Sequence, residues 1–186
     1  MFHAVKHLFS PWRSAYISGK QPRGCFLCRA AEPRLQSNAK RSRQFVGAGR
    51  SVKSVESVDE DRRNLVLFRG PKVFIIMNRY PYNNGHVMIA PYRHAGDVTK
   101  LTPAETRELF ALLQRTVRIL RQEMKPEGFN VGMNLGRIAG AGLADHVHLH
   151  VVPRWNGDTN FMPVNADTKV ISEALATTWE RLARRF

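Results

Sequence analysis

The segment LADHVHLHVVPRW, residues 143–155, places a histidine at every second position. His146, His148 and His150 are separated by aliphatic residues, a pattern typical of a β-strand, and Pro153 closes the run. Because successive side chains of a strand point to opposite faces, the three imidazoles are predicted to line one face of a sheet.

This row of imidazoles is consistent with three different roles. Two histidines one residue apart on a strand can bind a single metal ion. The rings can instead make satisfied hydrogen bonds inside a sheet, although packing alone does not require three of them in a row. The third role is nucleophilic catalysis on phosphorus, in which a neutral imidazole attacks with one nitrogen while an acceptor holds the proton on the other.

Attack on phosphorus also needs hydrogen-bond donors for the charge that develops on the phosphoryl oxygens. The candidates are the flanking imidazoles, Asn134, and the backbone amides of the glycine-rich loop GRIAGAG, residues 136–142. Within that loop we expect Gly140 and Gly142 to contribute. The loop directly precedes the histidine strand, which favours this role.

Composition restricts the class of protein and of partner. A chain of 186 residues with 43% hydrophobic content fits one domain, with room for an appended segment. The chain contains no apolar run of the roughly 20 residues that cross a bilayer, so we expect no membrane partner. The net charge of +14, from 29 Lys+Arg against 15 Asp+Glu, favours a polyanionic partner such as a nucleotide or nucleic acid.

The N-terminal segment, residues 1–28, carries the only two cysteines as a C-x-x-C pair, Cys25 and Cys28. A disulfide closing so short a loop would add little stability, so a metal knuckle in a reducing, cytoplasmic compartment is favoured. The first 31 residues contain five basic residues and no acid, which also matches a mitochondrial targeting peptide. Residues 29–63 are predicted to form a basic, flexible loop, either solvated or in contact with polyphosphate or RNA.

The rest of the chain predicts an α+β fold with an antiparallel sheet. The strands are predicted at 64–70, 72–78, 85–92 and 129–134, in addition to the histidine strand. Thr102 and Glu105 form a capping box, and Pro103 occupies the first position of a long helix that extends to Met124. A C-terminal helix is predicted over about 170–185.

The long helix is apolar on more than one face. Phe110, Leu112 and Ile119 lie outside its main apolar stripe, so a second partner is needed to cover them. A two-fold interface with a second copy of the chain would do so, and the alternative is coverage by the C-terminal helix.

Four segments together resemble the histidine triad (HIT) family of nucleotide hydrolases and transferases. HVHLHVVPR resembles the family's His-φ-His-φ-His-φ-φ signature, and NRYPYNNGHVMIAP, residues 78–91, resembles its upstream ribose-binding segment. SPWRSAYI followed by GCFLC, and PRWNGDTNF after the triad, resemble the bacterial branch related to diadenosine tetraphosphate phosphorylases and hydrolases. The resemblance covers residues 8–28 and 65–164, and it weakens the targeting interpretation because it includes the N-terminal motif.

The resemblance implies a role for individual residues. His148 would be the nucleophile, flanked by His146 and by His150, the latter as a phosphate contact. Asn78 would meet the ribose, Asn134 the phosphate side, and His86 would support the site from behind. Related members carry Gln or Ser where this chain has Gly142, so the loop would act through its amides.

The resemblance also implies a closed, structural zinc site. Members with this C-x-x-C complete the metal with a histidine after the third strand and with the first triad histidine. The matching residues in this sequence are Cys25, Cys28, His94 and His146.

The implied activity is hydrolysis or phosphorolysis of dinucleoside polyphosphates through a nucleotidyl-histidine intermediate. His150, in place of the Gln of the uridylyltransferase branch, favours this over sugar transfer. The alternatives are turnover of nucleoside phosphoramidates or adenylylated molecules, and nucleotide sensing or RNA binding without turnover. We expect a homodimer or larger homo-oligomer, with residues 64–165 as the catalytic domain and 166–186 as the C-terminal helix.

Overall fold

The fold is built on one five-stranded antiparallel sheet in the order β1-β2-β3-β5-β4. The computed structural model describes residues 24–31, 55–159, 171 and 173–186. The strands are β1 (Val66–Arg69), β2 (Val73–Met77), β3 (Val87–Pro91), β4 (Gly128–Gly132) and β5 (Leu149–Arg154). The helices are α1 (Phe26–Ala31), α2 (Val55–Asn64), α3 (Pro103–Met124) and α4 (Leu175–Ala183), with a 3-10 turn at Val98–Lys100.

The core forms between the central strands and the long helix. Every residue of β2 and β3 is buried, and α3 contacts both strands and β5. Leu109 and Leu120, from the predicted apolar stripe of the helix, are buried in this core. Burial of such side chains is the dominant favourable contribution to folding. The antiparallel sheet with one long helix and a C-terminal helix confirms the α+β architecture predicted from the sequence.

The start of α3 follows the predicted capping box. The Thr102 hydroxyl accepts from the Glu105 backbone N–H, while the Glu105 carboxylate accepts from the Thr102 backbone N–H. This reciprocal pair satisfies two amides that have no partner within the helix. The Arg93 guanidinium also donates to Glu105 through two nitrogens, which joins the helix start to the segment that follows β3.

The histidine strand differs from its prediction at both ends. β5 begins at Leu149, because β3 ends at Pro91, which has no N–H to offer and whose carbonyl accepts from the His146 ring. His146 and His148 therefore precede the strand. The strand also continues through Pro153, which is tolerated because β5 has only β4 as a neighbour there, the β3 ladder having ended at Val151.

Two other predicted boundaries were wrong where the structure describes them. The predicted loop 29–63 is helical at both ends, since α1 continues to Ala31 and α2 begins at Val55; residues 32–54 lie outside the described residues. The C-terminal helix is shorter than predicted, with Leu175–Ala183 in place of about 170–185. Helix α2 is stabilised by packing against β1 and α4, a contact that its polar local sequence does not reveal.

An arginine from the sheet holds the short helix α1. Arg69 donates to the carbonyl oxygens of Ala30 and Ala31 and to the carboxylate of Asp61 on α2. These bonds occupy carbonyls at the end of α1 that have no partner within the helix. They fix the helix that carries Cys28 against the edge of the sheet.

The extra apolar residues of α3 are only partly covered within this chain. Leu112 and Ile119 are buried, and α3 contacts α4, whereas Phe110 remains 55% exposed. Leu112 and Ile119 therefore need no second chain to bury them, whereas Phe110 is not covered within this chain. None of the helices in the described part of the chain has both the length and the apolar character needed to cross a bilayer.

Candidate active site and metal cluster

His148 and His150 lie side by side where β5 begins. Their ring centroids are 4.7 Å apart and the rings are nearly perpendicular. β5 pairs with β3 opposite Met88 at His150, so the strand pairing brings His86, which immediately precedes β3, behind the pair. The backbone of the sheet thus determines the spacing of all three imidazoles.

The environment of His148 fixes its tautomer. Its Nδ1 is 2.8 Å from the backbone carbonyl oxygen of His146. A carbonyl oxygen can only accept, so Nδ1 carries the proton and Nε2 keeps its lone pair. Burial lowers the pKa of the His148 imidazole, only partly offset by this hydrogen bond, so the ring is neutral at pH 7 and has the form that a nucleophile needs.

His150 has the opposite tautomer, determined through His86. The backbone N–H of Tyr82 donates to Nδ1 of His86 at 3.0 Å, so the proton of His86 is on Nε2. That nitrogen is 2.9 Å from Nδ1 of His150, which must therefore accept and leaves the His150 proton on Nε2. The site presents a bare nitrogen on His148 beside an N–H donor on His150, a pairing that can attack a phosphorus and bind its oxygen.

The ring of His146 points to the cysteine pair. Its ring is fully buried; Nε2 donates to the Pro91 carbonyl oxygen at 2.9 Å, so Nδ1 keeps its lone pair. Burial, more than the neighbouring His94 and His148, lowers the pKa of the His146 imidazole. Nδ1 points to Cys25 Sγ at 3.2 Å. The His146 ring therefore faces the cysteines, whereas the His148 and His150 rings lie against each other.

The two cysteines and two histidines form one cluster. Cys28 Sγ is 3.2 Å from His94 Nδ1 and 3.5 Å from His146 Nδ1, and the ligand atoms of all four residues lie within 4.8 Å of one another. A tetrahedral zinc with bonds of about 2.3 Å to sulfur and about 2.0 Å to nitrogen separates S and N by about 3.5 Å. The observed distances and the Cys2His2 donor set fit such an ion, and the cluster can bind a metal.

The predicted substrate-side residues take up hydrogen bonds within the protein. Asn78 follows β2; its backbone N–H donates to the His86 carbonyl, and its side-chain amide nitrogen is 3.4 Å from His86 Nδ1. Asn134 donates to the Gly140 carbonyl, while the Gly140 N–H donates to Arg137. The structure therefore brings Asn78 to the His86–His150 pair. The Gly140 N–H bond to the Arg137 carbonyl closes a turn of the loop, and Gly142 lies exposed in the same loop.

Sequence reasoning missed the residues that hold the loop between β2 and β3. The Asn83 side chain donates to the carbonyl of Pro153 and to the carboxylate of Asp158. Asp158 also accepts from the Arg154 guanidinium and from the Trp155 backbone N–H. The signal for the Arg154–Asp158 ion pair is the spacing in PRWNGD, where an acid follows an arginine by four residues.

Comparison with known proteins finds relatives in sequence and in fold. The family profile described as HIT domain matches residues 60–157. The Mycobacterium tuberculosis protein named AP-4-A phosphorylase is 46% identical over 123 residues, which are 66% of this chain and 63% of that protein. This chain therefore matches less than two thirds of that relative's length.

One further relative is similar in sequence and one further protein is similar in structure. The Schizosaccharomyces pombe protein named asymmetrical bis(5'-nucleosyl)-tetraphosphatase is 29% identical over 93 residues, 50% of each chain. The crystal structure of the Caenorhabditis elegans NitFhit protein superposes with a TM-score of 0.54 and 26% identity, covering 65% of this chain and 27% of that one.

Proposed function

This chain belongs to the HIT domain family, and on that premise we propose that it cleaves dinucleoside polyphosphates similar to diadenosine tetraphosphate, as a hydrolase or phosphorylase. The names of the two relatives support this substrate class. The observation that carries the proposal is the opposite tautomers of adjacent rings, with the lone pair of His148 Nε2 beside the N–H of His150. A protein that only bound nucleotide would not need a buried, neutral imidazole with a free nitrogen.

The proposed reaction has two steps. Nε2 of His148 attacks the phosphorus next to one nucleoside, an N–P bond forms, and the bridging P–O bond breaks so that the remaining nucleotide leaves with the electron pair. As the attacking ring becomes positively charged, the His146 carbonyl stabilises it through the Nδ1–H bond. The N–H of His150 binds the phosphoryl oxygen on which negative charge grows.

The second step returns the enzyme to its starting state. Water or inorganic phosphate attacks the phosphorus of the nucleotidyl-histidine, the N–P bond breaks, and His148 recovers its lone pair. With diadenosine tetraphosphate, water would yield AMP and ATP, whereas phosphate would yield ADP and ATP. We propose Asn78 as the ribose contact and Asn134 as a phosphate-side residue, with His86 holding His150 in position.

The metal that we propose for the Cys2His2 cluster is zinc. Cys25, Cys28, His94 and His146 would supply all four ligands, which leaves no open position and makes the ion structural. The ion would contribute folding energy and link α1 to the residue whose carbonyl holds His148. The His146 proton lies on Nε2 against Pro91, the second-shell bond that metal-binding histidines usually make.

We further propose a homodimer in a reducing, cytoplasmic compartment. Strand β4 is the edge of the sheet, Val131 on it is 45% exposed, and Phe110 on α3 is 55% exposed. An open edge beside apolar side chains favours pairing with a second copy. The C-x-x-C pair is better suited to a metal than to a disulfide, which supports the reducing compartment.

Product analysis tests the proposed activity. Purified protein is incubated with diadenosine tetraphosphate, with and without phosphate, and the nucleotides are separated by chromatography. We expect ATP together with AMP or ADP, and a loss of at least about a thousandfold in rate for His148→Asn. Retention of the fold and of nucleotide binding in this variant is the control. Turnover near the wild-type rate would reject His148 as the nucleophile, and nucleotide binding without any turnover would favour a sensor.

A further inference from the structure

One residue belongs to both the metal cluster and the catalytic pair. The ring of His146 faces Cys25 at 3.2 Å and Cys28 at 3.5 Å. The carbonyl oxygen of the same residue holds the proton of His148 on Nδ1 at 2.8 Å. Any change that moves His146 therefore moves the acceptor that fixes the nucleophile.

The buried nitrogen of His146 needs a partner from the cysteines. Its Nε2 proton is given to Pro91, and the ring has no exposed surface, so water cannot serve Nδ1. A metal ion satisfies that lone pair, and in the reduced protein without metal a thiol S–H can donate to it. A disulfide has neither a proton nor a metal to offer, so it leaves a buried acceptor without a donor.

We propose that Cys25 and Cys28 form an oxidisable dithiol whose conversion to a disulfide expels the metal and releases the nucleophile His148 from its single tautomer. The two sulfurs lie within 4.8 Å of each other, and the Cys28 backbone N–H is 3.4 Å from Cys25 Sγ. This C-x-x-C arrangement at the start of a helix is common among dithiols that oxidise reversibly. Both residues are partly exposed, so a small peroxide can reach them.

The oxidation by hydrogen peroxide is balanced. The Cys28 thiolate attacks a peroxide oxygen, the O–O bond breaks, and hydroxide leaves with a proton from solvent as water, giving a sulfenic acid. The Cys25 thiolate then attacks that sulfur, the S–S bond forms, and the S–O bond breaks to release a second water. The cysteines lose two electrons, the peroxide gains two, and the metal leaves as the hydrated divalent ion.

Oxidation of the two cysteines should change the structure only locally, because the hydrogen bonds that hold α1 and the His86–His150 pair do not involve the sulfur atoms. Arg69 holds the end of α1 through the carbonyls of Ala30 and Ala31. The tautomers of His86 and His150 are set by the bond from the Tyr82 N–H to His86 and by the bond between the two rings. Oxidation should therefore alter His146 and His148 and leave His86 and His150 in place.

Nitrogen-15 NMR of the imidazoles tests this without substrate. Full-length protein is compared in three states: zinc-loaded and reduced, metal-free and reduced, and oxidised with hydrogen peroxide. We expect His148 to remain in its Nδ1–H form in both reduced states and to lose that single form after oxidation, while His86 and His150 keep their Nε2–H tautomers. Thiol titration and zinc release confirm the disulfide, and dithiothreitol should restore the spectrum.

Each other outcome overturns the proposal. A disulfide with an unchanged His148 signal would remove the link, and thiols that stay reduced after peroxide would remove the switch. Loss of the His86, His148 and His150 signals together would mean general unfolding in place of the local change. The double variant Cys25→Ser, Cys28→Ser should keep its His148 signal through peroxide treatment; a change there would assign the effect to another residue, such as a methionine.

As regulation of catalysis this inference rests on the proposed function, and the two are separated by the readout. In single-turnover assays we expect oxidation to slow cleavage of diadenosine tetraphosphate at least tenfold, and dithiothreitol to restore it. If the NMR result holds but the reduced enzyme cleaves nothing, the proposed function fails and the coupling stands. If the reduced enzyme cleaves but oxidation leaves both spectrum and rate unchanged, the coupling fails alone.

Discussion

Replacing His86 with phenylalanine isolates the contribution of the hydrogen bonds behind His150. The substitution keeps a ring of similar size in a fully buried position and preserves the stacking with Tyr82, whose ring lies 4.8 Å away. It removes the bond to the Tyr82 N–H at 3.0 Å and the bond to His150 Nδ1 at 2.9 Å. The Tyr82 N–H and His150 Nδ1 then each lose their hydrogen bond to His86.

The expected losses follow from those two bonds. Each lost hydrogen bond costs about 0.5–1.5 kcal/mol net, and Tyr82 and His150 are both half-buried. We expect about 2 kcal/mol less stability, which lowers the melting temperature by roughly 4–8 °C in a chain of this size. Loss of one positioned donor to an oxyanion costs about 10²–10³ in rate; because the His150 ring remains, we expect a kcat about 10–100-fold lower.

Calorimetry and steady-state kinetics with diadenosine tetraphosphate measure both effects. Ile119→Ala, in the buried face of α3, is the control for stability, since it costs about 2–5 kcal/mol without altering the histidines. It should lower the melting temperature and leave kcat near the wild-type value. A normal kcat in His86→Phe, or an equal loss of kcat in both variants, would refute the role of His86.

Three further predictions concern stability, metal and charge. The Arg93 guanidinium, with help from Thr102, holds the pKa of Glu105 at about 2 against an ordinary value of 4.5, so the Glu105 carboxylate stabilises the fold above pH 4.5 and loses this effect as pH falls toward 2. Glu105→Gln should therefore have a melting temperature about 2–6 °C lower than wild type at pH 7. In urea melts the stabilities of the variant and the wild type should converge in strong acid, and a difference that widens there contradicts the argument. By elemental analysis, purified protein should contain about one zinc per chain, and Cys28→Ser should lose the zinc and, by calorimetry, melt at a lower temperature. A wild type that contains no metal and is as stable as Cys28→Ser would count against the site. Deleting residues 36–54 should leave the mass in solution at that of a dimer or larger, and it should lower the substrate on-rate more in low salt than in high salt. A monomeric wild type by light scattering would contradict the first expectation, and an effect of the deletion that does not depend on salt would contradict the second.

The elements with strong periodic signals were predictable from sequence. The apolar spacing and the Thr102–Glu105 capping box predicted α3 to within a residue, and alternating or continuous apolar runs predicted the five strands. Helix α2 was missed because its stability comes from contacts with β1 and α4 and from the Asp61–Arg69 pair. A polar segment whose partners lie elsewhere in the chain carries no periodic signal of its own.

Strand alternation alone did not predict the direction of the His146 ring. The two-residue spacing of the histidines suggested one row, yet β3 ends at Pro91, whose carbonyl binds the His146 ring. That ring faces Cys25 and Cys28, an arrangement that the family resemblance implied and the spacing did not. The tautomers depend on backbone groups, the His146 carbonyl and the Tyr82 N–H, and residue types in a sequence do not specify which backbone group a side chain will meet.

The most direct test of the central claim is the capture of the covalent intermediate. Wild-type protein is mixed with diadenosine tetraphosphate, quenched in alkali where phosphoramidates survive, and analysed by peptide mass spectrometry and phosphorus-31 NMR. We predict one adenylyl group on Nε2 of His148 and none in His148→Asn. An adduct on another residue, or complete turnover by the wild type with no adduct under single-turnover conditions, would contradict the proposed mechanism.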